Sequence, residues 1–159
     1  MKVVILAGGL GTRLSEETAS VPKPMVRIGN LPIIVHIMRH YYFYGYKEFV
    51  ILLGNKGSLI KEYFMNYPFN ANDFVLQQKS NKKTLINSLS EDWTISFVDT
   101  GQETMTGGRI KRAQEIIGDD DFMLTYGDGV SDIDLGKLEK FHKNHNKIAT
   151  MTSIQPKER

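Results

Sequence analysis

Apolar runs alternate along this chain with stretches in which apolar residues return every three or four positions. Lys2 to Leu6 is a short continuous run, the pattern of a strand buried on both faces of a parallel sheet. Beyond a glycine-rich loop, Ile34, Ile37, Met38 and Tyr41 fall at i, i+3, i+4 and i+7 and line one face of a helix, which Gly45 ends. Phe49 to Leu53 predicts a second strand, Ser58 to Asn66 a helix and Phe74 to Leu76 a third strand. Gln77 to Asp92 is polar, carries Lys79, Lys82 and Lys83 among Asn and Ser, and reads as a surface excursion. Strand character returns over Trp93 to Val98. Ile110, Ala113, Ile116 and Ile117 then repeat at helical spacing, with Lys111, Arg112 and Glu115 on the wet side. Phe122 to Thr125 predicts another buried strand, Asp134 to Asn144 a helix seated on Leu135, Leu138 and Phe141, and Ile148 to Ile154 a final strand.

Strands separated by helices of about ten residues imply crossover units. The fold class is therefore α/β: a Rossmann-like, three-layer α/β/α sandwich around a mostly parallel central sheet. Ligands of such sheets bind outside the carboxyl ends of the strands. Two segments lie there, the loop after Leu6 and the Gly127-Asp128-Gly129 turn after Thr125. The chain stops at Arg159 directly after a predicted strand, with no capping helix, as a C-terminally truncated domain would.

Composition narrows the class. With 159 residues, 41% hydrophobic and 24% charged, the chain is a single globular domain spanning residues 1 to 159. A formal net charge of +2 is too small for a general nucleic-acid binder. There are no cysteines, which excludes disulfides, thiolate metal sites and a cysteine nucleophile and fits a reducing compartment, the cytoplasm. The amino end has the charge-then-apolar order of a signal peptide, but Val3 to Ala7 is interrupted by Gly8, Gly9 and Arg13 and reads better as a strand. No stretch approaches the roughly 18 to 20 apolar residues of a membrane span.

The candidate chemistry lies in Leu6-Ala7-Gly8-Gly9-Leu10-Gly11-Thr12-Arg13-Leu14 and in Pro22-Lys23-Pro24, which begins nine residues after Arg13. Glycines let backbone N–H groups face a phosphate without obstruction by Cβ, and Arg13 adds a planar fork matched to phosphate oxygens. Lys23, between two prolines that fix the local backbone, presents a point charge at low entropic cost. The segment is a polyphosphate cradle. It is not a P-loop, which needs Gly-Lys followed by Ser or Thr. Nor is it a dinucleotide fingerprint, which would need Gly where Leu14 stands and an acidic residue where Leu53-Gly54-Asn55 stands.

Three other groupings read as structural. His36 and His40, and His142 and His145, have spacings that can bind metal, but neither pair has a third ligand, so they are surface histidines. The aromatic run from Tyr41 to Tyr44 with Tyr46 belongs to the core or to a subunit contact. Lys79, Lys82 and Lys83 form a solvated loop.

The ordered set of Gly-Gly-x-Gly-Thr-Arg, Pro-Lys-Pro-Met and an aspartate after a later strand resembles the sugar-1-phosphate nucleotidyltransferase family over essentially the whole chain. Within it, Leu14 to Thr18, Asp99-Thr100-Gly101, Met105-Thr106-Gly107-Gly108-Arg109 and Thr125-Tyr126-Gly127-Asp128-Gly129 are similar to the branch that joins CTP to glucose 1-phosphate. The resemblance implies that Asp128 holds Mg2+, that Arg13 meets the pyrophosphate and that Lys23 meets the α-phosphate and the attacking phosphate. It places Leu6, Ala7, Gly8, Gly9, Leu10, Gly11, Thr12, Thr104, Gly108 and Arg109 about the nucleotide, with Gly107 and Gly108 just before a helix. It further implies assembly into homo-oligomers and a product used in deoxysugar and cell-surface polysaccharide synthesis. It also implies a further hundred or so residues that carry most of the sugar pocket and a second metal-binding aspartate. The residue types themselves leave a uridylyl or thymidylyl donor open, and also a nucleotide-binding module without activity.

Overall fold

The computed structural model describes residues 1–9, 21–86 and 91–155. The chain runs through β1 (Lys2–Ala7), a 3-10 turn (Lys23–Met25), β2 (Arg27–Ile28), β3 (Leu31–Pro32), α1 (Ile33–Phe43), β4 (Glu48–Leu53), α2 (Gly57–Asn70), β5 (Phe74–Gln77) and β6 (Lys82–Leu85). It continues through β7 (Thr94–Asp99), α3 (Thr106–Arg112), α4 (Gln114–Ile117), β8 (Phe122–Tyr126) and α5 (Leu135–His145). Strands β7, β4, β1 and β8 form a wholly parallel sheet in that order.

Successive side chains of a strand point to opposite faces, and β1 buries both sets. Val3, Ile5 and Ala7 join Phe49, Ile51 and Leu53 in a core closed by residues of α1, α2 and α5, among them Ile34, Met38, Ile60, Phe64 and Leu135. Val4, Leu6, Val50 and Leu52 face the other way, onto Ile110, Ala113 and Ile117. The predicted three layers are thus present. From β1 the chain steps to β4 and then β7 with α1 and α2 on one face. It returns past β1 to β8 with α3 and α4 on the other. Right-handed crossovers require that change of face when the direction of winding reverses. The reversal falls between β1 and β8, where the chain segments leaving the two strands diverge and leave a crevice at the carboxyl edge.

Several elements differ from the sequence reading. Phe74–Gln77 is a strand, but it pairs antiparallel with β6 in a separate hairpin and stays outside the main sheet. Helix α2 runs past Asn66 to Asn70 and takes in Pro68, because Phe64 and Tyr67 are buried on the core and packing overrides the proline. The periodic stretch from Ile110 to Ile117 is broken at Ala113 into two short helices, which leaves Ile116 exposed. Phe141 of α5 is 61% exposed; it packs edge-on against His145 instead of the core. The strand expected at Ile148 to Ile154 does not form. A strand exists through its ladder, no strand among the described residues pairs with this segment, and Ile148, Met151 and Ile154 stand in solvent. No helix among the described residues is long and apolar enough to cross a membrane.

Candidate active site

A cavity of about 390 Å3 opens at the carboxyl edge where β1 and β8 meet. One wall is the end of β1, Leu6 to Gly9; the second is Lys23 and Pro24 with Tyr126 and Asp128; the third is Gln102 to Thr106 with Arg109. Of the residues expected at the site, Leu6, Ala7, Gly8, Gly9, Lys23, Thr104, Arg109 and Asp128 line this one cavity. Leu10, Gly11, Thr12 and Arg13 lie outside the described residues.

The Lys23 wall is built by proline and glycine. Pro22 and Pro24 are buried, and the amide N–H groups of Met25 and Val26 donate to the carbonyls of Pro22 and Lys23, at 2.8 and 3.0 Å, so Lys23 sits in one turn of 3-10 helix. Pro24 packs on Gly127, whose own N–H donates to the Leu6 carbonyl at 3.0 Å. A Cβ on Gly127 would meet Pro24 Cγ at 3.0 Å and the Leu6 carbonyl oxygen at 3.2 Å, so this close approach favours glycine. These contacts hold the tip of the lysine near the next residue of the turn: Lys23 Nζ lies 4.0 Å from Asp128 Oδ2. Both side chains keep access to solvent, Asp128 at 42% exposure.

The third wall is anchored by the buried Arg109. Its Nη1 donates to the Leu53 carbonyl at 3.0 Å, to Thr100 Oγ1 at 2.7 Å and to the Gly101 carbonyl at 2.7 Å; its Nη2 donates to the carbonyls of Gly8 at 2.6 Å and Gln102 at 3.0 Å. Burial, followed by the like charge of Arg112, pushes the Arg109 pKa below its ordinary value, an effect partly offset by Asp99. Arg112 in turn donates to the Thr100 carbonyl and to Thr104 Oγ1, both at 2.7 Å, which turns the Thr104 hydroxyl toward α3. Gly108 does not line the cavity. With Gly107 it lies inside α3 rather than before it, and its missing Cβ makes room for the Thr104 methyl.

The sequence reading named Pro24 and Tyr126 only within their motifs and passed over Gln102 and Glu103, which also line the cavity. Gln102 had a signal: it follows the carboxyl end of β7, the same edge that singled out the loops after β1 and β8. The histidines are less exposed than expected, and each ring has a hydrogen-bond partner. His36 and His40 are half-buried, with Nε2 of each hydrogen-bonded to the carbonyls of Ile28 and Ile133 at 3.0 and 2.9 Å, beside a smaller cavity of about 220 Å3. His142 and His145, also half-buried, both meet Thr150 Oγ1, at 2.8 and 2.7 Å.

Comparisons with known proteins fit this geometry. The sequence matches the nucleotidyl transferase family over residues 2–159. It is 51% identical over 157 residues to the glucose-1-phosphate cytidylyltransferase of Salmonella typhimurium, which covers 98% of this chain and 61% of that protein. It is 46% identical over 154 residues to the probable glucose-1-phosphate cytidylyltransferase of Bacillus subtilis, covering 97% of this chain and 60% of that one. The fold superimposes on a crystal structure of HddC from Yersinia pseudotuberculosis complexed with GMP-PN. Here the TM-score is 0.65 and the identity 26%, over 89% of this chain and 53% of that one. The chain thus spans about three-fifths of the length of the curated relatives it matches. A match through nearly every described element, with the motif residues converging on one crevice, means that this chain belongs to the nucleotidyl transferase family.

Proposed function

We propose that this chain is the nucleotide-binding part of an enzyme that transfers CMP from CTP to glucose 1-phosphate, releasing pyrophosphate and CDP-glucose. The observation that carries the reading is the meeting of Lys23 and Asp128 with the glycine end of β1 in one crevice at the point where the winding of the sheet reverses. The choice of cytosine and of glucose rests on the relatives from Salmonella and Bacillus.

The attacking group is a phosphate dianion with a second pKa near about 6, so no general base is required. Its oxygen forms a bond to the α-phosphorus of CTP as the bond to pyrophosphate breaks in line. The protein positions the partners and offsets the charge that builds on the phosphoryl oxygens. Lys23 suits the α-phosphate because its turn is fixed by two prolines and its ammonium reaches the crevice. Arg13 is assigned to the pyrophosphate. Two readings that also belong to the proposal are a cytoplasmic location and a product destined for deoxysugar or surface polysaccharide synthesis.

The residues present suit Mg2+. Among the described residues no group of three His, Asp or Glu side chains stands ready to cage an ion. Asp128 instead offers one open carboxylate at the mouth of the crevice, and Mg2+ takes one or two carboxylates together with substrate phosphates and water. When bound, the ion would neutralise phosphate charge and hold the triphosphate in one arrangement.

Calorimetric titration of the chain with CTP, UTP, dTTP and NADH, each with Mg2+, tests the reading. CTP is expected to bind tightest, and the same mixture with glucose 1-phosphate should yield CDP-glucose and pyrophosphate. Binding of NADH with no nucleoside triphosphate bound would defeat it, and tighter binding of UTP or dTTP would reassign the donor.

A further inference from the structure

Arg109 is 5% exposed, and among the described residues no carboxylate lies within 4.0 Å of its guanidinium. Burying a cation without an ionic partner is costly, and an apolar side chain of similar size would fill the space at less expense. Its partners are four backbone carbonyls and one hydroxyl, and they come from the ends of three adjacent strands: Gly8 after β1, Leu53 of β4, and Thr100, Gly101 and Gln102 after β7. The guanidinium occupies the room that two glycines leave. A Cβ on Gly8 would lie 2.3 Å from Arg109 Cζ, and one on Gly54 would lie 2.7 Å from Nη1 and 2.6 Å from the Gly8 carbonyl oxygen.

The bond to Gly8 has a directional consequence. Peptides are planar and trans, so a carbonyl and the N–H that follows it point opposite ways. With the Gly8 carbonyl drawn to Arg109, the N–H of Gly9 is turned away from the arginine. Gly9 is exposed and lines the crevice, and a Cβ added there meets nothing within 4 Å. We infer that Arg109 is a positioning residue of the phosphate subsite: by holding the Gly8 carbonyl inward it presents the Gly9 amide to a triphosphate and keeps the end of β1 in register with the turn after β7. This rests on the reading of the crevice as a triphosphate site, and it gives Arg109 a role exerted through the backbone instead of through the base.

Inorganic tripolyphosphate, which has phosphates and no base, separates the two roles. The chain is titrated calorimetrically with tripolyphosphate and with CTP, both with Mg2+, as the parent and as the Arg109→Lys and Thr100→Val variants. Lysine keeps the charge but cannot serve the same acceptors, and valine removes one acceptor while keeping the shape. Arg109→Lys should weaken both ligands by the same factor, about tenfold or more, as the loss of charge-assisted hydrogen bonds would. Thr100→Val, which removes the hydroxyl that accepts from Arg109 and donates to the Leu53 carbonyl, should weaken both about threefold or more by the same reasoning. In 15N-glycine spectra the Gly9 amide should shift when tripolyphosphate is added to the parent and lose that shift in the folded variants, a signature that loss of stability alone would not produce. Loss of CTP binding with tripolyphosphate binding intact would overturn the inference in favour of contact with the base. Parental affinity for both ligands in Arg109→Lys would overturn it too. If that variant does not fold, parental affinity in Thr100→Val has the same force. A parent that binds neither ligand would instead remove the triphosphate reading beneath it.

Discussion

Two walls of the same crevice each present a cation, and they are built to opposite specifications. Among the described residues Lys23 has one distant ionic partner, Asp128 at 4.0 Å, and both side chains reach solvent. Arg109 is buried and all of its described partners belong to the protein. The first wall has unspent charge that a phosphate or a metal can claim. The second turns both terminal nitrogens of its guanidinium to fixing the backbone. A site that stabilises a charged transition state needs both, because movable charge without a rigid frame loses the benefit of preorganisation.

The largest test of this contrast is Lys23→Ala, which should lower turnover about 100-fold, the usual consequence of losing one contact with developing charge, while thermal unfolding stays near that of the parent. Parental turnover in a folded Lys23→Ala variant would show that the open wall carries no chemistry. Next comes Asp128→Asn. It should weaken Mg2+-dependent CTP binding about tenfold, worth about 1.4 kcal/mol, and leave binding measured in a chelator unchanged. Equal losses with and without the ion would mean that the carboxylate acts by shape alone.

Gly127→Ala tests whether the open wall also needs close packing. The new methyl would approach Pro24 and the Leu6 carbonyl more closely than ordinary van der Waals contact, so denaturant unfolding should show a loss of roughly 1–3 kcal/mol. The smallest effect belongs to a residue outside both walls. Asp134 caps α5 by accepting the Lys137 N–H at 2.9 Å, and that bond, aided by the Lys137 side chain, holds its carboxyl below the usual range. A depressed folded-state pKa stabilises the native state above the ordinary value, near about pH 4, and the gain is lost as pH falls through the depressed one. The melting temperature of Asp134→Ala should therefore lie below that of the parent at neutral pH and converge with it in acid, with CTP affinity unaltered.

The two walls also differ in how far the sequence announced them. Lys23 was legible because Pro-Lys-Pro is a local pattern with a local meaning, and Asp128 because glycines bracket it at a strand end. The strands from Lys2 and Phe49 and the stripe of α1 were legible for the same reason. The cage around Arg109 was not, since its acceptors run from Gly8 to Gln102 and only the pairing of three strands brings them together. The hairpin of β5 and β6, the absent strand at Ile148 to Ile154 and the exposure of Phe141 escaped for a related cause. Apolar pattern shows what a segment could bury, whereas its partner is decided by the rest of the molecule.

The arginine cage reads main-chain oxygens, and this makes it tolerant of sequence drift in an uneven way. Exchanging Gln102 for another residue leaves the same carbonyl in place, so substitution there does not loosen the tie, whereas Leu53 is held by the burial of its own side chain. Gly8 and Gly54 have no such latitude, because the first carbon of any side chain would displace the guanidinium itself. Robustness and fragility thus sit within one cluster, divided according to whether a position lends the arginine only an oxygen or must also leave it room.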